Sequence, residues 1–295
     1  MSAKHPVIAV TGSSGAGTTT VKNAFEHIFF REKINPLVVE GDSFHKFDRA
    51  EMKEQIAVFA KEGKNLSHFG PEANHFDLLA DTFKAYGESG ECKRRYYLHS
   101  DEEAAEHNAR LSTSLTPGQF TPWEDIKESS DLLFYEGLHG GAADDKSDVS
   151  KFVDLLVGVT PIVNLEWIQK IHRDNAQRGY SAEAIVDTIL RRMEDYVNYI
   201  TPQFSKTDIN FQRVPTVDTS NPFIARDIPT PDESMIVIRF RDHDGVDFPY
   251  LQNMIQDSFM SRPNTIVVPG TKMGFAMELI LNPVIRNLIE RKKKS

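Results

Sequence analysis

A glycine- and serine-rich turn lies between a predicted strand and a predicted helix near the start of the chain. It reads Gly12-Ser13-Ser14-Gly15-Ala16-Gly17-Thr18-Thr19-Thr20. Gly12 and Gly17 match the two defining glycines of the G-x-x-x-x-G-K-[ST] loop, and Thr19 stands where a hydroxyl ligates Mg²⁺. In such a loop, backbone N–H groups and the helix N-terminus surround a phosphate. The turn therefore predicts nucleotide binding.

The lysine of that motif is missing, because Thr18 stands in its place. A cation from elsewhere must then stabilise the charge that develops on the β- and γ-phosphates during phosphoryl transfer. The alternative interpretation is a plain connection between strand and helix that binds nothing, since short motifs produce false matches.

Two carboxylates stand just beyond predicted strands, Asp42 after the second and Glu136 after a later one. Ligands of open α/β sheets collect at the carboxyl ends of the strands. Phosphoryl transfer to a hydroxyl needs one carboxylate to orient or deprotonate the acceptor, and a second near the metal. Asp42 and Glu136 fit these roles, although each acid could instead cap the turn that follows it.

Three basic or potentially basic residues follow Asp42 at a spacing of four, namely His45, Arg49 and Lys53. On a helix this spacing places them along one face, where they would suit a phosphate on the acceptor. A solvated helix face with Glu51 and Glu54 nearby is the alternative interpretation.

A second charged stripe lies in a predicted helix over 163–178 and contains Lys170, Arg173, Asp174 and Arg178. These residues share roughly one helix face. We expect the missing cation of the phosphate site to come from this stripe, in a lid that closes over the phosphates. A helix stabilised by internal Arg–Asp pairs is the alternative.

The remaining pattern predicts an α/β protein with a mixed sheet flanked by helices, in a single domain over 1–295 with its lid helix near 165–180. Strands are expected over 6–11, 36–39, 131–135, 152–159, 235–240 and 265–268, with short candidates over 95–98 and 119–123. Helices are expected from Thr19 onward and over 44–64, 73–87, 163–178, 181–200, 248–260 and 272–291, the last interrupted or kinked near Pro283. The proline-rich stretch 205–232 is predicted to be loop.

Composition excludes several classes of protein. The net charge of -9 and pI of about 5.6 disfavour a nucleic-acid partner. The single cysteine, Cys92, excludes an internal disulfide. The sequence contains no run of 18 apolar residues, so a membrane span is not predicted. The histidines show no metal-binding spacing, so most are expected to be surface or structural residues. A cytoplasmic location is the expectation.

Several of these segments together resemble proteobacterial phosphoribulokinases. The similarity includes the lysine-free turn Gly12 to Val21, the Glu40-Gly-Asp-Ser-Phe-His45 segment with Arg49 and Lys53, and Tyr135 to Gly140. It also includes Gln169 to Asp174 with Arg178, and it extends over essentially the whole chain. The resemblance implies a nucleoside-monophosphate-kinase-like P-loop fold and ATP-dependent phosphorylation of D-ribulose 5-phosphate to the 1,5-bisphosphate in the Calvin cycle.

The resemblance also implies roles for individual residues. Asp42 becomes the general base, Glu136 a metal-associated acid, Lys170 the replacement cation, and Asp174 a second important carboxylate. The sugar phosphate is assigned to His45, Arg49, Lys53, Arg173 and Arg178, and Mg²⁺ to Thr19 and Glu136. Bacterial members are octamers activated by NADH and inhibited by AMP. Plant-type thiol control is not expected, because Ser13, Ser14 and Ala16 occupy the loop where those relatives carry cysteine.

Two other functions remain open at this point. A uridine-kinase-like or pantothenate-kinase-like enzyme would share the turn and the acid, but such enzymes usually keep the lysine and need no basic stripe beside the base. A non-catalytic nucleotide sensor would tolerate the loss of the lysine, but it would have no need for Asp42, Glu136 and Lys170 together.

Overall fold

The apolar runs of the chain assemble into one mixed sheet. The computed structural model describes residues 4–12, 18–127, 129–225 and 227–294, without the side chains of residues 18, 19, 177 and 178. In this part of the chain the strands are β1 (Val7–Gly12), β2 (Pro36–Glu40), β3 (Cys92–Arg94), β4 (Glu124–Ile126), β5 (Leu132–Gly137), β6 (Leu155–Pro161), β7 (Ile209–Pro215), β8 (Ser234–Phe240), β9 (Phe259–Arg262) and β10 (Thr265–Pro269). Within the described ranges, eight of them form a sheet in the order β2-β5-β1-β6-β7-β8-β10-β9, and β3 pairs separately with β4.

Helices cover both faces of the sheet. They are α1 (Thr18–Glu32), α2 (Arg49–Lys61), α3 (Phe76–Ser89), α4 (Asp101–Leu111), α5 (Val163–Arg178), α6 (Ala182–Arg191), α7 (Met193–Asp195), α8 (Gln203–Lys206), α9 (Phe248–Met254) and α10 (Met273–Lys294). A π-helical turn, Tyr196–Ile200, continues from α7, and a 3₁₀ turn, Gly41–Phe44, follows β2 directly.

In the main sheet β2, β5, β1, β6 and β7 run parallel, and β8, β10 and β9 extend the sheet in antiparallel pairs. Because parallel strands are covered on both faces, alternate residues of β1 enter two different cores. Ile8 and Val10 pack with Phe25 of α1 and with α10, while Val7 and Ala9 pack with α3. The carboxyl ends of β1, β2 and β5 consequently lie together at one edge of the sheet.

The structure confirms the predicted strands of the main sheet but corrects several other elements. Strand β7 lies inside the stretch predicted as loop, where Ile209 and Phe211 are buried and the strand ends at the first of the four prolines, Pro215. The candidates over 95–98 and 119–123 form a single bridge, Tyr97↔Phe120, rather than a ladder. Between the candidates over 95–98 and 119–123, where no helix was predicted, the chain forms α4, and 248–260 divides into α9 and the start of β9.

Two helix boundaries differ from the pattern for identifiable reasons. Helix α2 starts at Arg49 rather than near residue 44, because Asp48 accepts from the Ala50 and Glu51 amides at 2.8 Å and Glu51 accepts from the Asp48 amide at 3.0 Å. His45 therefore precedes the helix and does not share its face with Arg49. Helix α10 is not interrupted at Pro283, because Leu281 and Ile285 on either side are fully buried in the core.

Replacing Gly158 by alanine is expected to destabilise the fold. A Cβ at this position in the centre of β6 would lie 2.2 Å from Asn210 Oδ1 and 2.8 Å from Thr207 Cγ2. We expect a loss of about 1 to 3 kcal/mol in the free energy of unfolding, as for other overpacked cores. Urea denaturation measures it, and Gly274→Ala is the control, since its Cβ would meet nothing closer than 3.5 Å. Equal stability of the two variants would contradict the packing described.

Candidate active site

The carboxyl ends of β2 and β5 bring the two predicted acids to the same place. Glu40 and Glu136 are register partners in the parallel pair. Beyond them the backbones approach closely, because a Cβ on Gly137 would lie 2.6 Å from Gly41 Cα, and one on Gly41 would lie 2.7 Å from Tyr135 Oη. Only glycine fits such an approach. The turn that carries Asp42 therefore starts beside the segment that carries Glu136.

Asp42 lies in the 3₁₀ turn and faces two imidazoles. Its Oδ1 is 3.6 Å from His45 Nε2, and its Oδ2 is 3.6 Å from His99 Nε2. The carboxylate is 40% exposed, whereas the His45 side chain is only 8% exposed. Asp42 can thus reach a ligand, while the nearly buried His45 ring beside it helps to orient the carboxylate. His99 comes from a segment more than 50 residues away, and the sequence offered no signal for it.

Three largely buried histidines on this side of the site, His45, His68 and His139, lie in surroundings that keep them neutral. His45 and His68 stack with ring centroids 4.3 Å apart. Burial, together with the charge of Arg95, lowers the pKa of His45 to about 4. Burial likewise lowers the pKa of His68 to about 3 and that of the fully buried His139 to about 3. At neutral pH these rings can offer a hydrogen bond without adding a positive charge beside Asp42.

Glu136 lies on the face of the sheet covered by α1. Burial raises the pKa of its carboxyl above the ordinary value; the charge of Lys22 opposes this shift and that of Glu40 adds to it. A nearby cation would stabilise the ionised form of this carboxyl, because it offsets both the cost of burial and the repulsion from Glu40.

A buried glutamine fixes the loop that follows β5. Gln203 Oε1 accepts from the Thr11 hydroxyl and from the Gly141 amide, both at 2.9 Å. Its Nε2 donates to the Leu138 and Tyr199 carbonyls. Gln203 thereby connects the end of β1, where the phosphate-binding turn begins, to the loop beyond Glu136.

The second charged stripe forms a compact ion cluster on α5. The Lys170 ammonium donates to Asp174 Oδ2, and Arg173 Nε donates to Asp174 Oδ1 at 3.1 Å. The Asp174 side chain is 4% exposed and that of Lys170 is 16% exposed. Burial and the charge of Arg192 lower the pKa of Lys170, although Asp174 opposes the shift. Asp174 keeps a pKa below its ordinary value despite its burial, because Lys170 and Arg173 hold its charge.

Helix α5 is tied to the surroundings of Asp42 through the residues after α6. The Tyr196 hydroxyl donates to the buried Glu166 of α5 at 3.0 Å. The Ser67 hydroxyl donates to Asp195 at 2.6 Å, and the ring of Phe69 lies against that of Tyr196. Since His68 lies between Ser67 and Phe69, the position of α5 and that of the His45–His68 stack are mechanically linked.

The other predicted residues occupy varied positions. Arg49 and Lys53 are exposed on α2, and Arg49 lies against Gly118. Gly12 ends β1, where a Cβ would lie 2.6 Å from the Val159 carbonyl oxygen. Thr20 lies in the first turn of α1 beside Gly274. Ser13, Ser14, Gly15, Ala16 and Gly17 are outside the described residues, as are the side chains of Thr18, Thr19 and Arg178.

Two kinds of site are absent from the part of the chain that the structure describes. No three histidine, cysteine or acidic side chains among these residues group as a ready-made metal cage. No helix within the described ranges combines the length and the apolar composition that a bilayer crossing requires. Cys92 is buried, and burial raises the pKa of its thiol to about 11, which leaves it unreactive at neutral pH.

A parallel α/β sheet with a glycine-rich turn after its first strand and acids at its carboxyl edge is the architecture of P-loop kinases. Comparison with known proteins agrees. A model of the Phosphoribulokinase / Uridine kinase family matches residues 7–220, and the chain belongs to this family. A phosphoribulokinase of Nitrobacter vulgaris is 58% identical over 99% of each chain.

Two further matches extend over the full length. The plasmid-encoded phosphoribulokinase of Cupriavidus necator is 59% identical over 100% of this chain and 99% of its own. The solved structure of phosphoribulokinase from Rhodobacter spheroides has a TM-score of 0.89 at 52% identity, covering 99% of this chain and 100% of that one. The predicted P-loop kinase fold is thereby confirmed.

The neutral histidines predict a loss of stability in mild acid. Each unfolded imidazole takes up a proton below its ordinary pKa of 6.5, whereas the folded ones resist until about pH 4 or 3. The unfolded state therefore binds more protons, and the free energy of unfolding falls by about 1.4 kcal/mol per pH unit for each such histidine.

Chemical denaturation at pH 7.5 and pH 5.5 measures this effect. His68→Gln should reduce the difference between the two pH values, because it removes one buried imidazole. The same replacement of His243, which is exposed, should leave the difference unchanged. Equal stability of the wild-type chain at both pH values would refute the neutral, buried state of the cluster.

Proposed function

We propose that this chain is a phosphoribulokinase, which transfers the γ-phosphate of ATP to the C1 hydroxyl of D-ribulose 5-phosphate and yields ADP and D-ribulose 1,5-bisphosphate. The observation that carries the proposal is the half-exposed carboxylate of Asp42 between His45 and His99, at the edge of the sheet where the phosphate-binding turn begins. Family membership and full-length identity of 58–59% to proteins named phosphoribulokinase support it.

In this proposal Asp42 is the general base. Its carboxylate accepts the proton of the C1 hydroxyl as the oxygen attacks the γ-phosphorus, and the bond from that phosphorus to the β-phosphate oxygen breaks to release ADP. The adjacent His45, which burial keeps neutral, orients the base together with His99. A charged imidazole at hydrogen-bond distance would instead hold the carboxylate ionised and make it a weaker base.

The phosphate of the acceptor is assigned to His45, Arg49, Lys53, Arg173 and Arg178. Arg49 and Lys53 are exposed on one face of α2, so their charges are free to meet a dianion from solvent. Arg173 approaches from α5, where its guanidinium is oriented by Asp174. Arginine suits this role because its planar fork matches a phosphate bidentately.

Lys170 is proposed as the cation that the turn lacks at Thr18. Its pKa is lowered mainly by burial, which describes an ammonium held in a poorly hydrated place, where a positive charge acts most strongly on a developing negative one. Asp174 orients this ammonium in the absence of nucleotide. As part of a lid, α5 would deliver Lys170 to the γ-phosphate and exclude water at the same time.

Mg²⁺ fits the oxygen donors of this edge. Glu136 and the hydroxyl of Thr19 would hold it. Burial and the charge of Glu40 raise the pKa of the half-buried Glu136 carboxyl, so a divalent cation there would stabilise its ionised form. When bound, Mg²⁺ supplies neutralisation of phosphate charge. The backbone from Gly12 to Thr20 is assigned to the phosphates of ATP.

Five further properties are proposed from the resemblance to bacterial phosphoribulokinases. They are activation by NADH, inhibition by AMP, an octameric assembly, a place in the Calvin cycle and a cytoplasmic location. No partner nucleic acid or membrane is proposed.

Asp42→Asn is expected to lower kcat with ribulose 5-phosphate by about 100- to 10,000-fold, because the general base is lost while the shape of the site is kept. The dissociation constant for Mg·ATP should change less than threefold, since nucleotide binding does not use this carboxylate. ADP release, measured with ribulose 5-phosphate, ribose 5-phosphate, uridine or no acceptor, tests the variant and the substrate together.

Asp77→Asn is the matched control, because Asp77 is an exposed acid that also faces a histidine, His75, at 3.9 Å. It should retain full activity. Turnover of uridine in preference to ribulose 5-phosphate would move the assignment to a uridine-kinase-like enzyme. ATP binding without turnover of any acceptor would indicate a nucleotide sensor instead.

Lys170→Met is expected to lower kcat by about 100- to 1,000-fold, the usual cost of removing one preorganised electrostatic contact to a transition state. Steady-state kinetics with ribulose 5-phosphate measures it. Lys206→Met is the control, because Lys206 also pairs with an acid, Asp148 at 3.0 Å, but these two residues precede β7 and β6 and so lie away from the carboxyl ends of the strands. Normal turnover by Lys170→Met would remove Lys170 from the proposed mechanism.

A further inference from the structure

The segment 94–99 presents its alternate residues to the turn that carries Asp42. Three of them, Arg95, Tyr97 and His99, face this turn. The Arg95 side chain donates to the backbone carbonyls of Ser43 and His45. The Tyr97 ring lies 6.2 Å from the His45 ring, and His99 faces the Asp42 carboxylate. Arg94 points the other way, toward the Val38 carbonyl and the Tyr96 ring. This alternation is that of an extended chain, and it makes 94–99 the supporting wall of the Asp42 turn.

The strongest contact of this wall is made by the guanidinium of Arg95. Its Nε donates to the Ser43 carbonyl at 2.7 Å, and its Nη2 donates to the His45 carbonyl at 2.6 Å. The two carbonyls lie one and three residues beyond Asp42, and the His45 amide in turn donates to the Asp42 carbonyl at 3.2 Å. One planar group thus fixes the peptide units that determine where the Asp42 and His45 side chains point.

The guanidinium is itself immobilised by aromatic rings. Its Cζ lies 3.8 Å from the centroid of Phe120 and 4.7 Å from that of Trp123. Trp123 also contacts Phe44 of the turn. Rings in these positions exclude water from the two hydrogen bonds and stabilise the cation through their π-faces. Burial lowers the pKa of Arg95 to about 10, so the group stays charged at neutral pH.

From this geometry we propose that Arg95 is a positioning residue for phosphoryl transfer, which holds the Gly41–Phe44 turn and His45 so that the Asp42 carboxylate meets the acceptor hydroxyl. The proposal rests on the proposed function for its kinetic consequences. It assigns Arg95 no contact with substrate. Lysine cannot replace it, because an ammonium lacks the rigid fork that reaches two carbonyls from one plane.

Kinetics on the full-length chain test the proposal through Arg95→Lys. We expect kcat with ribulose 5-phosphate to fall by about 100-fold, the loss associated with a misplacement of about 1 Å, while the dissociation constant for Mg·ATP changes less than threefold. Arg94→Lys is the matched control, since Arg94 is a half-buried neighbour with the same kinds of contact, and it should retain kcat within twofold.

The Asp42→Asn background separates positioning from a general structural role. If Arg95 acts through Asp42, adding Arg95→Lys to Asp42→Asn should lower the residual kcat less than twofold. An equal loss in both backgrounds would overturn the proposal. If circular dichroism shows that Arg95→Lys does not fold, Phe120→Leu tests the proposal instead. This variant loosens the packing of the Phe120 ring on the Arg95 guanidinium but keeps both hydrogen-bond donors. It should lower kcat by about 10-fold, and an unchanged kcat would overturn the proposal.

Hydrogen exchange measures the position of the turn without turnover. Amide exchange in peptides covering 40–47 should be at least 10-fold faster in Arg95→Lys than in Arg94→Lys or the wild type, and unchanged exchange would overturn the proposal. If the wild-type chain does not turn over ribulose 5-phosphate, the proposed function fails, while the exchange result still decides whether Arg95 holds the turn.

Discussion

The site depends on the close approach of two backbones at the carboxyl ends of β2 and β5. Gly41 and Gly137 leave no room for a Cβ at this contact, and the parallel register pairs Glu40 with Glu136. Since a one-residue shift of either strand would turn every side chain to the opposite face, this register decides that the turn with Asp42 lies beside the segment that carries Glu136. The buried Gln203 extends the constraint to the end of β1.

Around this edge, burial rather than net charge governs the electrostatics. The chain is acidic overall, yet beside Asp42 lie the His45 and His68 imidazoles, which burial keeps neutral, and the guanidinium of Arg95, which two backbone carbonyls hold in place. Positive charge is placed instead on α2 and in the Lys170–Asp174 cluster of α5. This separation keeps the buried imidazoles beside Asp42 uncharged and places the cations on α2 and α5, where the proposed mechanism brings phosphate charge.

In the proposed mechanism, the lysine-free turn makes the position of α5 important. A lysine in the turn would be positioned by local backbone geometry, whereas Lys170 depends on how a whole helix is oriented. The Tyr196–Glu166 and Ser67–Asp195 hydrogen bonds provide that orientation and also contact the segment containing His68. Closure of α5 and placement of the acceptor are therefore parts of one movement in the proposed mechanism.

The sequence by itself determined the features that are local: the glycine spacing of the turn, the strands before Asp42 and Glu136, the helix that carries Lys170, and the absence of thiol chemistry. It missed β7, because nearby prolines obscured a short alternating pattern, and it predicted an α2 that begins too early, because the helical spacing extends back past the capping residue Asp48. Only the tertiary structure decided the surroundings of Asp42. His99, Arg95 and Asp195 act across the fold, with Arg95 reaching carbonyls 52 and 50 residues earlier in the chain. Residue types and spacing carry no record of such contacts, because they arise when distant segments pack against one sheet edge.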